Sequence, residues 1–404
     1  MKRTICLMLS VLFILCPITS FAILDNEGFI PVWSDDVIET FNQIQNRVEL
    51  NLDSEAAILM EEDSGTILYT KNEHTKLRPA SVTKVMTILL IMEALERGDI
   101  TLEDKVPCSE RARKMGGSQI WLAENETLTV HEMLKAICVV SANDCCVAMS
   151  EFISGSEEAF VQKMNDKAKQ LGMNDTCFKN SHGIDEDGHV TSSYDIALMS
   201  KELLNNHPII TEYTTIWMDS LRNGTSELTN TNKLVRTYNG CTGLKTGSTS
   251  LALYNLSASA TRDNLSLIAV VLRAPTTKIR FSEAKKLLDY GFTSYEYKDL
   301  GKKYSIIQNV NFTKGSVNNV NLILENDCGS LIKKGDSKNI QQEISINENI
   351  CAPINKGDVL GNVKFYIDGN LISTVNLIAE SEVPKKNLIN TFEYISTLWF
   401  NILR

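Results

Sequence analysis

The pattern of apolar and polar residues predicts strands at both ends of a helical region. Apolar-rich runs at residues 55–61 and 66–72 flank Asp63-Ser64-Gly65, which is typical of a β-hairpin. Two longer predicted strands, 253–260 and 265–272, lie beyond the helical patterns. We therefore predict an α+β domain in which N- and C-terminal strands share one antiparallel sheet packed with helices.

The helical patterns begin with a helix that is apolar on nearly every side. It starts at Arg78-Pro79-Ala80 and ends at Gly98, a residue typical of a helix C-cap. Because apolar side chains cover nearly every side of this helix, we predict that the helix is buried. A second helical region begins with the capping box of residues 129–132, pauses near Ser141 and ends before Gly155. Further helices are predicted at residues 157–171, 193–205 and 278–290.

The N-terminal residues have the features of an export signal. Lys2 and Arg3 precede an apolar run at residues 5–17, and Ser20-Phe21-Ala22 forms a small-x-small cleavage site. The run is shorter than the about 20 residues that span a bilayer. We predict a signal peptide at 1–22, with a buried N-terminal helix as the alternative. A linker is predicted at 23–47.

The pattern changes again after the mixed domain, which is predicted to occupy residues 48–295. Short alternating runs separated by turns such as Asp368-Gly369-Asn370 predict a small, β-sandwich-like domain at 296–383. At 384–404, apolar residues recur on one helical face behind Lys385 and Lys386. This pattern favours an amphipathic helix that binds a membrane surface, although a helix docked on the core would look similar.

Composition excludes several classes of function. The net charge is −10, and loss of the two cations Lys2 and Arg3 changes it to −12, which argues against nucleic-acid binding. Eight of the ten cysteines follow the signal, without a CxxC pattern. We predict buried free thiols, with a Cys328–Cys351 disulfide as an alternative. The histidines show no metal-ligand spacing, so neither a metal nor a cofactor is predicted.

Three short motifs carry candidate chemistry: Ser81-Val82-Thr83-Lys84, Ser141-Ala142-Asn143 and Lys245-Thr246-Gly247. The SxxK pattern also occurs at 282–285 and 330–333, so context must decide between the copies. Ser81 lies at the start of a buried helix, where a base three residues later shares its face. Ser282 lies on an amphipathic helix beside Glu283 and is predicted to be on the surface, and Ser330 lies in the β domain.

Lys84 has to be uncharged to act as the base for Ser81. An unperturbed lysine, with a pKa of ~10.4, is neutral less than about once in a thousand at pH 7. Burial and a second cation, Lys245, would both lower that pKa. The alternative is a lysine that extends to the surface.

The other two motifs predict substrate contacts. Ser141 is assigned as a proton shuttle and Asn143 as an amide that binds a substrate carbonyl, although both would also suit a capped helix junction. Lys245 and Thr246 are predicted to bind a carboxylate. Gly247 permits close approach of a ligand to the backbone, and the residue after it, Ser248, offers a backbone N–H as an oxyanion donor.

The order and spacing of these motifs resemble those of the low-molecular-mass penicillin-binding proteins that act as D-alanyl-D-alanine carboxypeptidases. The resemblance is strong over residues 48–295 and looser beyond them. It rests on the following segments: 78–87, Gly116-Gly117-Ser118, 141–144, 180–183, 189–195, 230–233 and 243–247. Ser248 and Leu253 depart from the family pattern, which more often has a bulkier polar or aromatic residue and a glycine there.

The resemblance implies a β-lactamase/transpeptidase-like catalytic domain and an acyl-enzyme on Ser81. It implies removal of the terminal D-alanine from peptidoglycan stem peptides, covalent inhibition by β-lactam antibiotics, and a place on the outer face of the cytoplasmic membrane. His182 is interpreted as structural. The alternatives are a DD-endopeptidase acting on peptidoglycan cross-links and a non-catalytic β-lactam-sensing or wall-binding protein.

Overall fold

The computed structural model describes residues 50–385, except 312–314, 316, 318 and 349, together with Trp399. The predicted signal peptide (1–22) and linker (23–47) lie outside the described residues. So does the predicted terminal helix (384–404), apart from Pro384, Lys385 and Trp399.

The first part of the described chain is built on a five-stranded antiparallel sheet with the order β2-β1-β9-β8-β7. Its strands, with those of two small two-stranded sheets (β3-β4 and β5-β6), are, in chain order, β1 (Ala56–Glu61), β2 (Ile67–Lys71), β3 (Lys105–Pro107), β4 (Thr127–Thr129), β5 (Met218–Leu221), β6 (Ser226–Thr229), β7 (Cys241–Thr249), β8 (Leu253–Arg262) and β9 (Leu265–Ala274). Because β1 pairs with β9 along its whole length, the predicted union of N- and C-terminal strands is confirmed.

The helices agree closely with the apolar periodicity. The longer ones are α1 (Lys84–Glu96), α2 (Val130–Val139), α3 (Asn143–Ser154), α4 (Glu157–Gln170), α5 (Ser193–Asn206) and α6 (Thr277–Ser294). Residues 84–92 of α1 are all buried, as its apolar periphery predicted. The capping box of α2 is present, with Thr129 and Glu132 each accepting from the other's backbone N–H. The predicted pause at Ser141 is the junction of α2 and α3.

The sheet separates two apolar cores because side chains alternate between the faces of a strand. Ile58 and Met60 of β1 pack in the larger core with helices α1 to α5. Ala57 and Leu59 point to the opposite face and pack in a second core, which contains Leu287 of α6. All of β1 is therefore buried.

The second part of the described chain is all β, as predicted. Its strands are β10 (Tyr295–Gly301), β11 (Ile306–Asn311), β12 (Asn319–Leu324), β13 (Cys328–Lys333), β14 (Ile340–Ile346), β15 (Val359–Ile367) and β16 (Asn370–Ala379). They form a sheet ordered β11-β12-β16-β15-β14 and the pair β10-β13. A separate apolar core lies among them, with Leu322, Val363 and Leu377 fully buried.

The described cysteines are all free thiols, eight in number, and most are buried. The alternative of a Cys328–Cys351 disulfide is therefore wrong. Cys328 is buried and its Sγ lies 3.2 Å from Ser373 Oγ, whereas Cys351 is exposed. Among the helices of the described residues, none is long and apolar enough to cross a bilayer.

Leu89 of α1 tests how much the buried helix contributes to stability. The side chain is fully buried, so Leu89→Ala should lower the free energy of unfolding by about 2–5 kcal/mol through lost burial and a cavity. Urea unfolding followed by circular dichroism measures the change. The matched control Leu251→Ala removes a side chain that is 55% exposed and should change stability by less than about 0.5 kcal/mol. Equal losses for the two variants would contradict the role given to α1.

Candidate active site

Ser81 lies on a tight turn, and Lys84 is the first residue of the regular helix that follows it. The sequence predicted a helix that begins at residues 78–80, but residues Ala80–Thr83 form a 3₁₀ turn and the α-helix begins at Lys84. Residues three apart are eclipsed in a 3₁₀ turn, which brings their side chains together. Lys84 Nζ donates to Ser81 Oγ at 3.0 Å. Ala80, just before the nucleophile candidate, has a φ of +49°, so the turn is strained.

Lys84 is fully buried and makes two further hydrogen bonds. Its Nζ donates to Asn143 Oδ1 at 2.7 Å and to the carbonyl oxygen of His182 at 2.6 Å. Burial lowers the pKa of Lys84 from its ordinary value to about 8. The amine is therefore within reach of a neutral state near physiological pH, and the alternative of a surface lysine is wrong.

The second motif lies where α2 passes into α3. Ser141 has a φ of +64° and is buried, and its Oγ has no hydrogen-bond partner among the described residues. Asn143 is the first residue of α3, and its Nδ2 donates to the carbonyl oxygen of Gly116 at 2.7 Å. Asn143 thus joins Lys84 to the loop that carries Gly116. Both the oxygen and the nitrogen of its side-chain amide therefore make hydrogen bonds.

The third motif lies on the edge strand β7. Lys245 is buried, and its Nζ donates to the carbonyl oxygen of Thr246 at 3.0 Å. Burial, and then the nearby positive charge of Lys84, lower the pKa of Lys245 to about 7. Thr246 Oγ1 donates to Thr231 Oγ1 at 2.7 Å. Thr231 was not among the predicted site residues; the only signal for it was its place in the segment 230–233.

Gly247 brings β7 against the turn that carries Ser81. A Cβ on Gly247 would lie 2.9 Å from the backbone N of Ser81 and equally close to the backbone of Pro79 and Val82, so only glycine fits. The next residue, Ser248, is exposed and pairs with Tyr254. The structure therefore brings the first and third motifs into direct contact.

Two residues that sequence reasoning missed hold these segments in place. Asn255 on β8 donates from Nδ2 to the carbonyl oxygens of Arg78 at 2.8 Å and Pro79 at 3.0 Å. Arg280 on α6 is buried and donates to the carbonyl oxygens of Gly247 and Asn255, both at 3.2 Å. No local pattern marks either residue, because each acts through contacts distant in sequence.

Leu253, which departs from the family pattern, has a φ of +55° at the start of β8. Backbone in that region suits glycine better than leucine.

His182 is buried beside Lys84 and takes part through its backbone. Its carbonyl oxygen accepts from Lys84, while its Nε2 lies 3.5 Å from Glu157 Oε1. Burial, with a contribution from Lys84, lowers the pKa of His182 to about 3. The imidazole is therefore neutral. Within the described parts of the chain, no group of three or more His, Cys, Asp or Glu side chains could hold a metal ion.

The other SxxK copies lie away from these motifs. Ser282 and Lys285 are exposed on α6, as predicted, and Ser330 lies on β13. Glu283, which the amphipathic pattern placed with Ser282 on a surface helix, is not exposed. Its carboxylate is buried and accepts from the backbone N–H groups of Asp53 and Ser54. These partners lie about 230 positions earlier, so local periodicity could not indicate them.

Sequence comparison identifies the family to which these motifs belong. The D-alanyl-D-alanine carboxypeptidase family, Peptidase_S11, matches residues 42–276, more than half of the 404 residues. The chain belongs to the D-alanyl-D-alanine carboxypeptidase family. The C-terminal domain of penicillin-binding protein 5 matches residues 295–385. Members of the carboxypeptidase family are serine hydrolases, and this chain is one of them.

Relatives resemble the chain over most of its length. D-alanyl-D-alanine carboxypeptidase DacF of Bacillus subtilis (strain 168) is 46% identical over 345 residues, which cover 84% of this chain and 88% of DacF. The crystal structure of penicillin-binding protein 5 from Haemophilus influenzae is 32% identical, with a TM-score of 0.70, covering 84% of this chain and 99% of that one. The predicted α+β transpeptidase-like domain followed by a β domain is confirmed.

A further solved structure contains an antibiotic. Penicillin-binding protein D2 from Listeria monocytogenes, in its ampicillin-bound form, is 30% identical with a TM-score of 0.56. The match covers 61% of this chain and all of that one.

Gly183 tests the packing around Ser81 in this carboxypeptidase. Gly183 has a φ of +91°, and a Cβ there would overlap the carbonyl oxygen of Ala80. We expect Gly183→Ala to displace the turn and slow acylation by labelled penicillin at least about tenfold, since a small misplacement of reacting groups is costly. Gly172→Ala is the matched control: its φ is +75°, but nothing lies within 4 Å of the new Cβ. Unchanged labelling of Gly183→Ala would refute the argument.

Proposed function

We propose that the protein removes the terminal D-alanine from peptidoglycan stem peptides through an acyl-enzyme on Ser81. The observation that carries this proposal is the 3.0 Å hydrogen bond between Ser81 Oγ and the buried amine of Lys84. As a neutral amine, Lys84 takes the hydroxyl proton while Ser81 Oγ attacks the carbonyl carbon of the penultimate D-alanine. The peptide C–N bond breaks, and the leaving amine gains a proton. Water then hydrolyses the ester and regenerates the hydroxyl.

The second motif supplies the proton path and a substrate contact in this proposal. Ser141 Oγ is buried and unpartnered among the described residues, which leaves its hydroxyl free to pass a proton to the leaving amine. Asn143 already bonds Lys84, and its Nδ2 would turn from the carbonyl oxygen of Gly116 to a substrate carbonyl. Such an exchange of partners keeps the Asn143 amide N–H hydrogen-bonded when substrate binds.

The third motif supplies recognition of the substrate's carboxyl terminus. Lys245 and Thr246 would bind the carboxylate by charge-assisted hydrogen bonds. Gly247 lets the peptide backbone approach, and the N–H groups of Ser81 and Ser248 are assigned as the oxyanion donors. The close packing of Gly247 on the backbone N of Ser81 supports this placement.

β-Lactams would acylate the same serine. The ampicillin-bound form of the Listeria relative supports this part of the proposal. A non-catalytic sensing role is not favoured, because every motif side chain is present and the relatives are carboxypeptidases.

The predicted domains suit a protein that acts outside the cytoplasm. We infer that residues 1–22 direct export, that 48–295 form the catalytic domain and that 296–383 form the β domain. Residues 384–404 would hold the enzyme on the outer face of the cytoplasmic membrane. The basic start at Lys2 and Arg3 and the one-sided apolar pattern of 384–404 support this arrangement.

Ser81→Ala tests the nucleophile directly. It should abolish covalent labelling by fluorescent penicillin and release of D-alanine from a pentapeptide, because in the described part of the chain no other hydroxyl is paired with the buried amine. The controls Ser282→Ala and Ser330→Ala remove the hydroxyls of the two other SxxK copies and should label normally. Labelling that survives in Ser81→Ala would overturn the assignment.

The pH dependence of kcat/KM tests Lys84. Its lowered pKa, about 8, means that the neutral fraction rises about tenfold per pH unit below that value. Activity on a pentapeptide should therefore rise from pH 6 to between about pH 7 and 8, where the two lysines share one proton, and fall above about pH 8 as Lys245 also loses its charge. Because Lys245 titrates beside it, the apparent pKa belongs to the pair. Lys84→Arg keeps the positive charge but cannot act as a neutral base, so kcat/KM should fall at least about a hundredfold. A flat profile between pH 6 and 8 would exclude a lysine base.

A further inference from the structure

The loop of residues 116–126, here named the rim loop, borders the site through Asn143. The backbone N–H of Asn143 donates to the carbonyl oxygen of Ser118 at 2.7 Å, and its Nδ2 donates to that of Gly116 at 2.7 Å. Asn143 Oδ1 at the same time accepts from Lys84. One side chain therefore fixes the start of the rim loop relative to the candidate base.

The middle of the rim loop is held by a buried carboxylate. Asp144 accepts from the backbone N–H of Ile120 at 3.1 Å and from that of Leu122 at 3.1 Å. Asp144 is fully buried, and the side chains of Ile120 and Leu122 are buried as well. Both neighbours of Trp121 are thus fixed.

Arg222 holds the rim loop from a second direction. Its guanidinium donates to the carbonyl oxygen of Ile120 at 2.9 Å and to the Glu126 carboxylate at 2.6 Å and 3.1 Å. Arg222 lies in a turn between β5 and β6 and itself has a φ of +52°. The rim loop is therefore a rigid part of the site border.

Trp121 is the residue that this rigid frame presents to solvent. Its φ is +60° and its side chain is 77% exposed. A single exposed apolar side chain is ordinary. A positive φ at a bulky aromatic residue is uncommon and strained, and it persists only where the surroundings impose it. Here the hydrogen bonds of Asp144 and Arg222 with the backbone on either side of Trp121 impose the positive φ. The indole is therefore held outward at a cost in stability.

Trp121 lies on the loop that borders the site of Ser81. It lies three positions after Ser118, a span of at most about 11 Å. From Ser118, short hydrogen bonds lead through Asn143 and Lys84 to Ser81. A stem pentapeptide in extended form spans about 17 Å. A stem peptide bound with its C-terminal bond at Ser81 would thus place its sugar end within reach of the rim loop.

We propose that Trp121 is a specificity-determining residue that stacks against a sugar ring of the peptidoglycan glycan strand; this inference rests on the proposed function. The indole offers a rigid, flat, apolar face with few rotatable bonds, which loses little entropy on binding. A pyranose ring presents C–H groups on a complementary face, whereas the alanine methyl groups of the stem peptide offer little area. The enzyme would then distinguish glycan-linked stems from free peptides.

Two substrates that differ only in the sugar test the assignment. kcat/KM for D-alanine release is measured on a free pentapeptide and on the same pentapeptide attached to its disaccharide. Wild type should prefer the disaccharide form. Trp121→Ala should lower that preference about tenfold, whereas Trp121→Phe, which keeps an aromatic face, should retain most of it. Labelled penicillin reports whether each variant still folds around Ser81.

Tyr304→Ala is the matched control. Tyr304 is 61% exposed and has a φ of +67°, but it lies in the β domain, so its loss should leave the preference unchanged. If Trp121→Ala lowers kcat/KM equally on both substrates, or leaves it unchanged, the proposed sugar contact is wrong while the carboxypeptidase function stands. Failure of wild type to release D-alanine from either substrate would instead overturn the proposed function.

Discussion

The burial of one lysine amine is the constraint on which the rest of the site depends. Lys84 Nζ is taken wholly out of water, which is costly unless every donor finds an acceptor. The acceptors come from Ser81, Asn143 and His182, which lie in three separate segments of the chain. The fold must bring these segments to one point before the amine can be buried. The same burial lowers the pKa that makes the amine useful as a base.

Strained backbone conformations occur in or next to the catalytic motifs. Ala80 and Ser141 both have positive φ values without being glycines, and each adjoins or belongs to a motif. Such conformations persist only where packing over-determines them. Gly183 against Ala80, and Gly247 against the backbone of Ser81, supply that packing. The turn therefore presents Ser81 and Lys84 to each other without relying on helix propensity.

The sequence pattern correctly predicted those parts of the fold that depend on interactions between residues close in the chain. The strand pairs β1-β2 and β8-β9, the all-round burial of α1 and the capping box at Thr129 follow from periodicity and turn chemistry, so they could be found in the sequence. The 3₁₀ start at Ala80 could not, because packing from distant residues imposes it. Glu283 was misplaced and Arg280 missed for the same reason. Both are charged residues on a surface-like pattern whose compensating partners lie far away in the chain.

The two buried lysines also indicate why an anionic ligand suits this site in a chain whose net charge is −10. Burial, and then the charge of Lys84, lower the pKa of Lys245, so between about pH 7 and 8 the pair tends to hold one proton between them. A carboxylate beside Lys245 favours the microstate in which Lys245 is the cation. Lys84 is then the neutral partner and can accept the Ser81 proton. Substrate binding and base activation are therefore linked through one shared proton, and this linkage depends on the local pocket rather than on net charge.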